Sequence, residues 1–170
     1  LGYVLSTIGR RGHPALKELQ GWYYAHRGLH GESVPENSME AFRLALEQGF
    51  GIELDIHLLK DGNLAVIHDA SLKRTAGEDV LIEDLSTEDL QNYRLEGTDE
   101  TIPTFRQVLD LYAGKAPLII ELKAERGNHA ALAEAACKAI RENMHLFPRV
   151  EGGNNPIAER FDGFLMGCTC

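Results

Sequence analysis

The stretch Ile52-Glu53-Leu54-Asp55-Ile56-His57-Leu58 constrains what this chain can fold into more than any other. Side chains alternate faces along a strand, so Ile52, Leu54 and Ile56 share one face and Glu53, Asp55 and His57 share the other. Two carboxylates two residues apart on one face repel each other unless a cation or hydrogen bonds compensate. A strand inside a parallel sheet has both faces covered, so acids there need a partner. The pattern recurs near residue 120, where Ile119, Glu121 and Lys123 share a face and the acid sits at the C-terminal end of the apolar run. In parallel α/β architectures the C-terminal strand ends are where sites are built.

Elsewhere, short apolar runs alternate with helical periodicity, which predicts an α/β fold with a parallel sheet. The first strand reads as Trp22–His26. Asn37 or Ser38 caps the next helix, with Glu40 spaced to complete a capping box from Asn37. Met39, Phe42, Ala45 and Leu46 give that helix one apolar face, and Gly49 ends it. The second strand is Ile52–Leu58, and Asp61-Gly62 turns into a short strand at Leu64–Ile67. Residues 69–100 read as polar loop with one short helix after Ser86. Thr104 and Gln107 form a second capping box, opening a helix that reaches about Ala113 and stops at Gly114. The third main strand is Leu118–Leu122, and Asn128 caps an alanine-rich helix over 129–143. The expected organisation is an N-terminal arm at 1–21, one α/β domain at 22–145, and an irregular tail at 146–170.

A length of 170 residues suits one domain, and 44% hydrophobic with 25% charged residues excludes a disordered chain. A net charge of −9 argues against nucleic acid or an anionic membrane surface as partner. It leaves a phosphate substrate open, because a few local cations or one metal ion can dominate a site. The three cysteines, Cys137, Cys168 and Cys170, form neither a disulfide framework nor a zinc pattern. A reducing compartment, the cytoplasm, is the default expectation. No run is long and apolar enough to span a bilayer. The first residue is Leu, and the opening LGYVLSTIGRR fits either an ordinary arm or the end of a membrane anchor upstream of residue 1.

Glu53, Asp55 and Glu121 together offer hard oxygen ligands of the kind that suit Mg²⁺ or Ca²⁺. His26 ends the first strand and His68 ends the short strand after the hairpin, so both are expected at one rim. Two imidazoles flanking one bond can serve as base and acid. Arg27 and Lys123 are cations suited to a phosphate. His57 reads as a solvent-facing or supporting neighbour of the acids, with an extra ligand as the alternative. His30 reads as a rim residue, Arg74 as a surface cation or a phosphate contact, and Cys137 as a small buried apolar side chain.

These residues sit in a run of motifs in which the chain resembles the glycerophosphodiester phosphodiesterases. The run is HRG at 26–28, PEN at 35–37, AF at 41–42, IELDI at 52–56 and DG at 61–62. HD at 68–69, L-x-R-T at 72–75, IPT at 102–104 and ELK at 121–123 follow in the family's order. The resemblance implies a TIM (β/α)8 barrel whose first three strands carry the site. It implies His26 and His68 as the catalytic histidines, and Glu53, Asp55 and Glu121 as ligands of one divalent cation, Mg²⁺ or Ca²⁺. Arg27 then matches a phosphate contact, and Lys123 the lysine that follows the third acid. The implied reaction is hydrolysis of a small-molecule glycerophosphodiester to glycerol 3-phosphate and an alcohol. Whether water attacks directly or the glycerol 2-hydroxyl attacks first is left open, as is which histidine is acid and which base. Two further readings remain: a catalytically inactive remnant, and a phospholipase-type lyase that stops at the cyclic phosphate.

Two departures stand out. Leu59 occupies a position where the family often has Thr, which reads as a packing change. A TIM barrel takes about 250 residues, and rarely fewer than about 200. The expectation is therefore a truncated partial barrel with about three main parallel strands, its tail read out of frame. A half barrel exposes a strand edge, which invites self-association.

Overall fold

A computed structural model describes residues 21–143, so the expected arm, anchor and tail lie outside the described residues. In chain order the elements are β1 (Tyr24–His26), α1 (Met39–Glu47), β2 (Gly51–Leu58), β3 (Leu64–Val66) and α2 (Lys73–Ala76). Two 3-10 turns follow, Ile82–Asp84 and Thr87–Asn92, then α3 (Phe105–Tyr112), β4 (Leu118–Leu122) and α4 (His129–Asn143).

The sheet is organised around β2. It pairs in parallel with β1, from Tyr24↔Gly51 to His26↔Glu53, and in parallel with β4, from Ile52↔Leu118 to Ile56↔Leu122. It pairs antiparallel with β3, from Ile56↔Val66 to Leu58↔Leu64. Ile52 is shared by β1 and β4, and Ile56 by β3 and β4. It follows that β1 and β3 lie at the two ends of one edge of β2, while β4 covers the other edge. The three parallel strands are those the alternation pattern predicted, with β1 beginning two residues later and β2 one residue earlier.

The apolar face of β2 is the floor of the main core. Ile52, Leu54 and Ile56 pack with Phe42 and Ala45 of α1, Phe105 and Leu109 of α3, and Leu132 and Ile140 of α4. Each fully buried large side chain here contributes about 1.5–3 kcal/mol relative to exposure. Tyr112 ties α3 to α1, its hydroxyl donating to the Phe42 carbonyl at 3.2 Å. Helices thus cover one side of the sheet and leave the acidic face of β2 on the other.

Local chemistry explains the element ends. Thr104 and Gln107 form the expected capping box at α3, and Ser86 with Asp89 forms another ahead of the second 3-10 turn. At α1 the cap is Ser38, whose Oγ accepts from the Ala41 N–H at 3.1 Å. The box expected from Asn37 and Glu40 does not form: Glu40 pairs with Arg43, and the Asn37 side chain turns to Asp55. Asn128 lends its carbonyl to the Leu132 N–H, but its side-chain oxygen accepts from Glu125 rather than from the first turn of α4. Gly28 has φ 82°, and a Cβ there would lie 2.7 Å from the Ala41 Cβ, so glycine lets α1 close onto the loop after β1.

The reading of 69–100 as polar loop needs correction. Leu72, Ile82, Leu85, Leu90 and Leu95 converge with Leu59, Ala65, Ile67 and Ile102 in a second apolar cluster. Single apolar residues on very short turns give no period to detect, so the sequence pattern missed it. Leu59 is 2% exposed there, as expected of a packing change. Cys137 is only half-buried rather than buried.

Among the described residues β4 has no strand on its outer edge, and Ile119, on the same face as Glu121, is 38% exposed. No helix among them is long and apolar enough to cross a membrane.

Candidate active site

The unhelical face of β2 and the end of β4 bring three carboxylates together. Asp55 is in register with Glu121 across the β2–β4 pair, and Glu53 precedes Asp55 by one pleat repeat on the same face. Ligand atoms of Glu53, Asp55 and Glu121 all lie within 4.8 Å of one another. Asp55 is fully buried, while Glu53 and Glu121 are partly exposed. Burial, then the Asp55 charge, push the Glu53 carboxyl above its ordinary range, with His26 and the Arg27 N–H opposing.

Cations and donors compensate this charge. Lys123 Nζ lies 2.9 Å from Glu121 Oε1 and 3.2 Å from Asp55 Oδ1. Burial opposes the lysine's charge, but Glu121 and Asp55 outweigh it and raise its pKa. Asn37 Nδ2 donates to Asp55 Oδ2 at 3.0 Å, and Arg27 Nε stands 3.5 Å from that same oxygen. Despite the nearby ammonium, Asp55 Oδ1 is buried without a hydrogen bond. A hard cation bound by all-oxygen ligands fits such a set: three clustered acids, one raised carboxyl and one buried, unsatisfied carboxylate oxygen. Glu53, Asp55 and Glu121 could hold a metal ion.

The two histidines are placed differently. His26 sits beside the cluster, its Nε2 3.8 Å from Glu53 Oε2, and its side chain is 68% exposed. His68 touches none of the three acids; its Nδ1 lies 2.7 Å from Asp69 Oδ1. Asp69 in turn accepts from Arg74 Nε at 2.6 Å, and this bond, helped by His68, draws its pKa down to about 2. Arg74 also bonds Glu36 at 2.5 Å, and Arg27 donates to both Glu36 oxygens at 3.1 Å. Burial would raise the Glu36 carboxyl, but the two arginines outweigh it and hold it low.

His57 points neither into solvent nor onto an acid. It is 1% exposed, and its Nε2 lies 3.1 Å from the His68 carbonyl. Burial lowers its pKa, disfavouring the charged ring. His30 is exposed, and Arg74 bridges two acids. Arg27 and Lys123, the cations matched to phosphate, are both paired with acids here.

Sequence reasoning gives the Pro35-Glu36-Asn37 turn only a rim-shaping part and assigns no individual site role to Asn37, Glu36 or Asp69. They lie in the Pro-Glu-Asn and His-Asp motifs, so the signal was present, but their partners are distant in sequence. Arg27 and Asn37 both adopt left-handed backbone, with φ 57° and 54°, and the Asn37 N–H donates to the Arg27 carbonyl at 2.9 Å. Such conformations in non-glycine residues concentrate at functional sites.

Known proteins resemble this chain in sequence and in backbone fold. The sequence profile of the glycerophosphoryl diester phosphodiesterase family matches residues 26–149. A glycerophosphodiester phosphodiesterase of Caldanaerobacter subterraneus subsp. tengcongensis is 37% identical over 126 residues, covering 69% of this chain and 51% of the relative. A lysophospholipase D of Mus musculus is 32% identical, covering 91% of this chain and 54% of the relative. Among solved structures, an Oleispira antarctica phosphodiesterase in complex with the product sn-glycerol-3-phosphate superposes with a TM-score of 0.66 at 29% identity. That match covers 75% of this chain and 53% of the other. The chain thus spans about half the length of the curated relatives it matches.

Proposed function

Because the chain belongs to the glycerophosphoryl diester phosphodiesterase family, we propose that its acidic cluster and histidines serve metal-dependent hydrolysis of glycerophosphodiesters to glycerol 3-phosphate and an alcohol. The observation that carries this reading is the gathering of Glu53, Asp55 and Glu121 within 4.8 Å, with His26 3.8 Å from Glu53. The product seen in the Oleispira antarctica structure supports the glycerol phosphate part of it.

Glu53, Asp55 and Glu121 would hold one divalent cation, Mg²⁺ or Ca²⁺, through carboxylate oxygens. Bound there, a cation polarises a phosphoryl oxygen and offsets developing negative charge. Asn37 and Arg27 hold the Asp55 carboxylate in place from one side. Lys123, between Asp55 and Glu121, is placed to donate to a phosphate oxygen once substrate competes for it. One of His26 and His68 takes the proton of the attacking oxygen, and the other delivers a proton to the departing alkoxide.

The test combines binding with turnover of glycerophosphocholine. Mg²⁺ or Ca²⁺ at about 100 times its dissociation constant stabilises the fold by about 2.7 kcal/mol, read as a rise in melting temperature. Asp55→Asn abolishes that rise. Choline release is expected, and His26→Ala lowers it by about 10²–10⁴-fold. Metal stabilisation without turnover favours the inactive remnant, and an accumulating cyclic phosphate favours the lyase. No cation response at all would remove the metal-site reading.

A further inference from the structure

Building on the reading of His68 as a proton-transfer group, we propose that Asp69 and Arg74 are positioning residues for it. They hold its imidazole in one tautomer, with the proton on Nδ1 and Nε2 left to exchange protons. Glu36 ties this pair to the loop that carries Arg27.

The tautomer follows from what each atom can do. An ionised carboxylate only accepts, so the 2.7 Å contact between His68 Nδ1 and Asp69 Oδ1 puts the proton on Nδ1. In the neutral ring Nε2 is then the unprotonated nitrogen. Asp69 is kept ionised and oriented because its other oxygen, Oδ2, accepts from Arg74 Nε at 2.6 Å. The main chain of His68 is held separately: its carbonyl can only accept, so His57 Nε2 donates to it at 3.1 Å. Ring and backbone are both fixed, which removes the rotamer freedom a proton-transfer group would otherwise lose on reacting.

Arg74 is not free to act as a phosphate anchor. Its guanidinium already bridges Asp69 and Glu36. Glu36 is bound in turn by Arg27, whose Nε faces Asp55. The order Asp55, Arg27, Glu36, Arg74, Asp69 alternates in sign. It runs from the acidic cluster to His68, joining the segment after β1 to the segment after β3. These two strands occupy opposite ends of one edge of β2, so no ladder of backbone bonds joins them. The side-chain series supplies the missing connection. It also gives the Pro-Glu-Asn turn and the arginine at 74 a chemical role: they set where His68 stands relative to the acids.

The full chain, labelled with ¹⁵N-histidine, reports the tautomer through ring nitrogen shifts and two-bond couplings at a pH where the ring is neutral. We expect His68 protonated on Nδ1 in the wild type, and a mixture in Arg74→Met and Asp69→Ala. In turnover, Arg74→Met lowers kcat by roughly 10–100-fold with KM little changed. A wild-type ring protonated on Nε2 overturns the proposal. So does an Arg74→Met variant with unaltered tautomer and kcat, or one that raises KM alone, which would mark Arg74 as a phosphate contact. If Arg74→Met does not fold, the wild-type tautomer and Glu36→Gln decide, the latter expected to show the same mixture in weaker form. If the chain shows no turnover while the tautomer holds, the catalytic reading fails and the positioning inference stands.

Discussion

Asn37 concentrates the residue-scale problem of this site. It is 1% exposed, adopts φ 54°, and donates to the fully buried Asp55. Asparagine tolerates left-handed backbone better than most residues, and its amide donates without adding charge. A glutamine could not match the backbone preference, and an aspartate would add a second anion beside Asp55. Replacing Asn37 by alanine leaves a buried carboxylate oxygen without its donor, and hydrogen bonds to charged groups contribute about 1.5–3 kcal/mol. Asn37→Ala should lower the unfolding free energy by about that amount in a urea titration. A loss of only a few tenths would show that Asp55 does not depend on it.

At the scale of elements, strands and loops are held by different means. The strands β1, β2 and β4 are joined by backbone ladders, which are indifferent to moderate acid. The segments after β1 and β3 are joined by Glu36, Arg74 and Asp69, which are not. Asp69 titrates near 2 in the folded chain, below the usual carboxylate value, and Glu36 is shifted in the same direction. A carboxyl with a depressed folded pKa stabilises the fold above its unfolded value and loses that contribution as pH falls through the folded one. The stability gap between wild type and Arg74→Met should therefore be widest above about pH 4 and close as pH drops toward about 2. A gap constant across that range, in denaturant titrations at successive pH values, would mean the acids gain nothing from Arg74.

For the whole molecule, the described residues make one helix-covered face and one open strand edge. Helices α1, α3 and α4 cover the apolar face of β2, while β4 offers an outer edge without a strand and Ile119 stands 38% exposed. Unpaired strand edges with apolar side chains recruit other strands. The 170-residue chain on its own is expected to self-associate with rising concentration. Ile119→Lys should reduce that association in sedimentation velocity while leaving the far-ultraviolet spectrum unchanged. Equal association in both proteins would locate the contact elsewhere.

The parallel strands, the helix capped by Thr104 and the acids of β2 and β4 were legible in the sequence because each rests on a local rule. Alternation places Glu53 and Asp55 on one strand face whatever surrounds them, and a hydroxyl three residues before a glutamine caps a helix wherever the helix lies. Register across strands, the second apolar cluster and the partners of Asn37, Glu36 and Arg74 were not legible, because they join residues far apart in the chain. Asn37 had two local options, to cap α1 or to face inward, and the buried charge of Asp55 chose between them. Which chemistry-bearing residues this protein contains was written in its amino-acid order. Which of them meet was decided only when β2 acquired neighbours on both edges, since that alone brings Glu121 beside Asp55 and sets the loops after β1 and β3 within reach of one another.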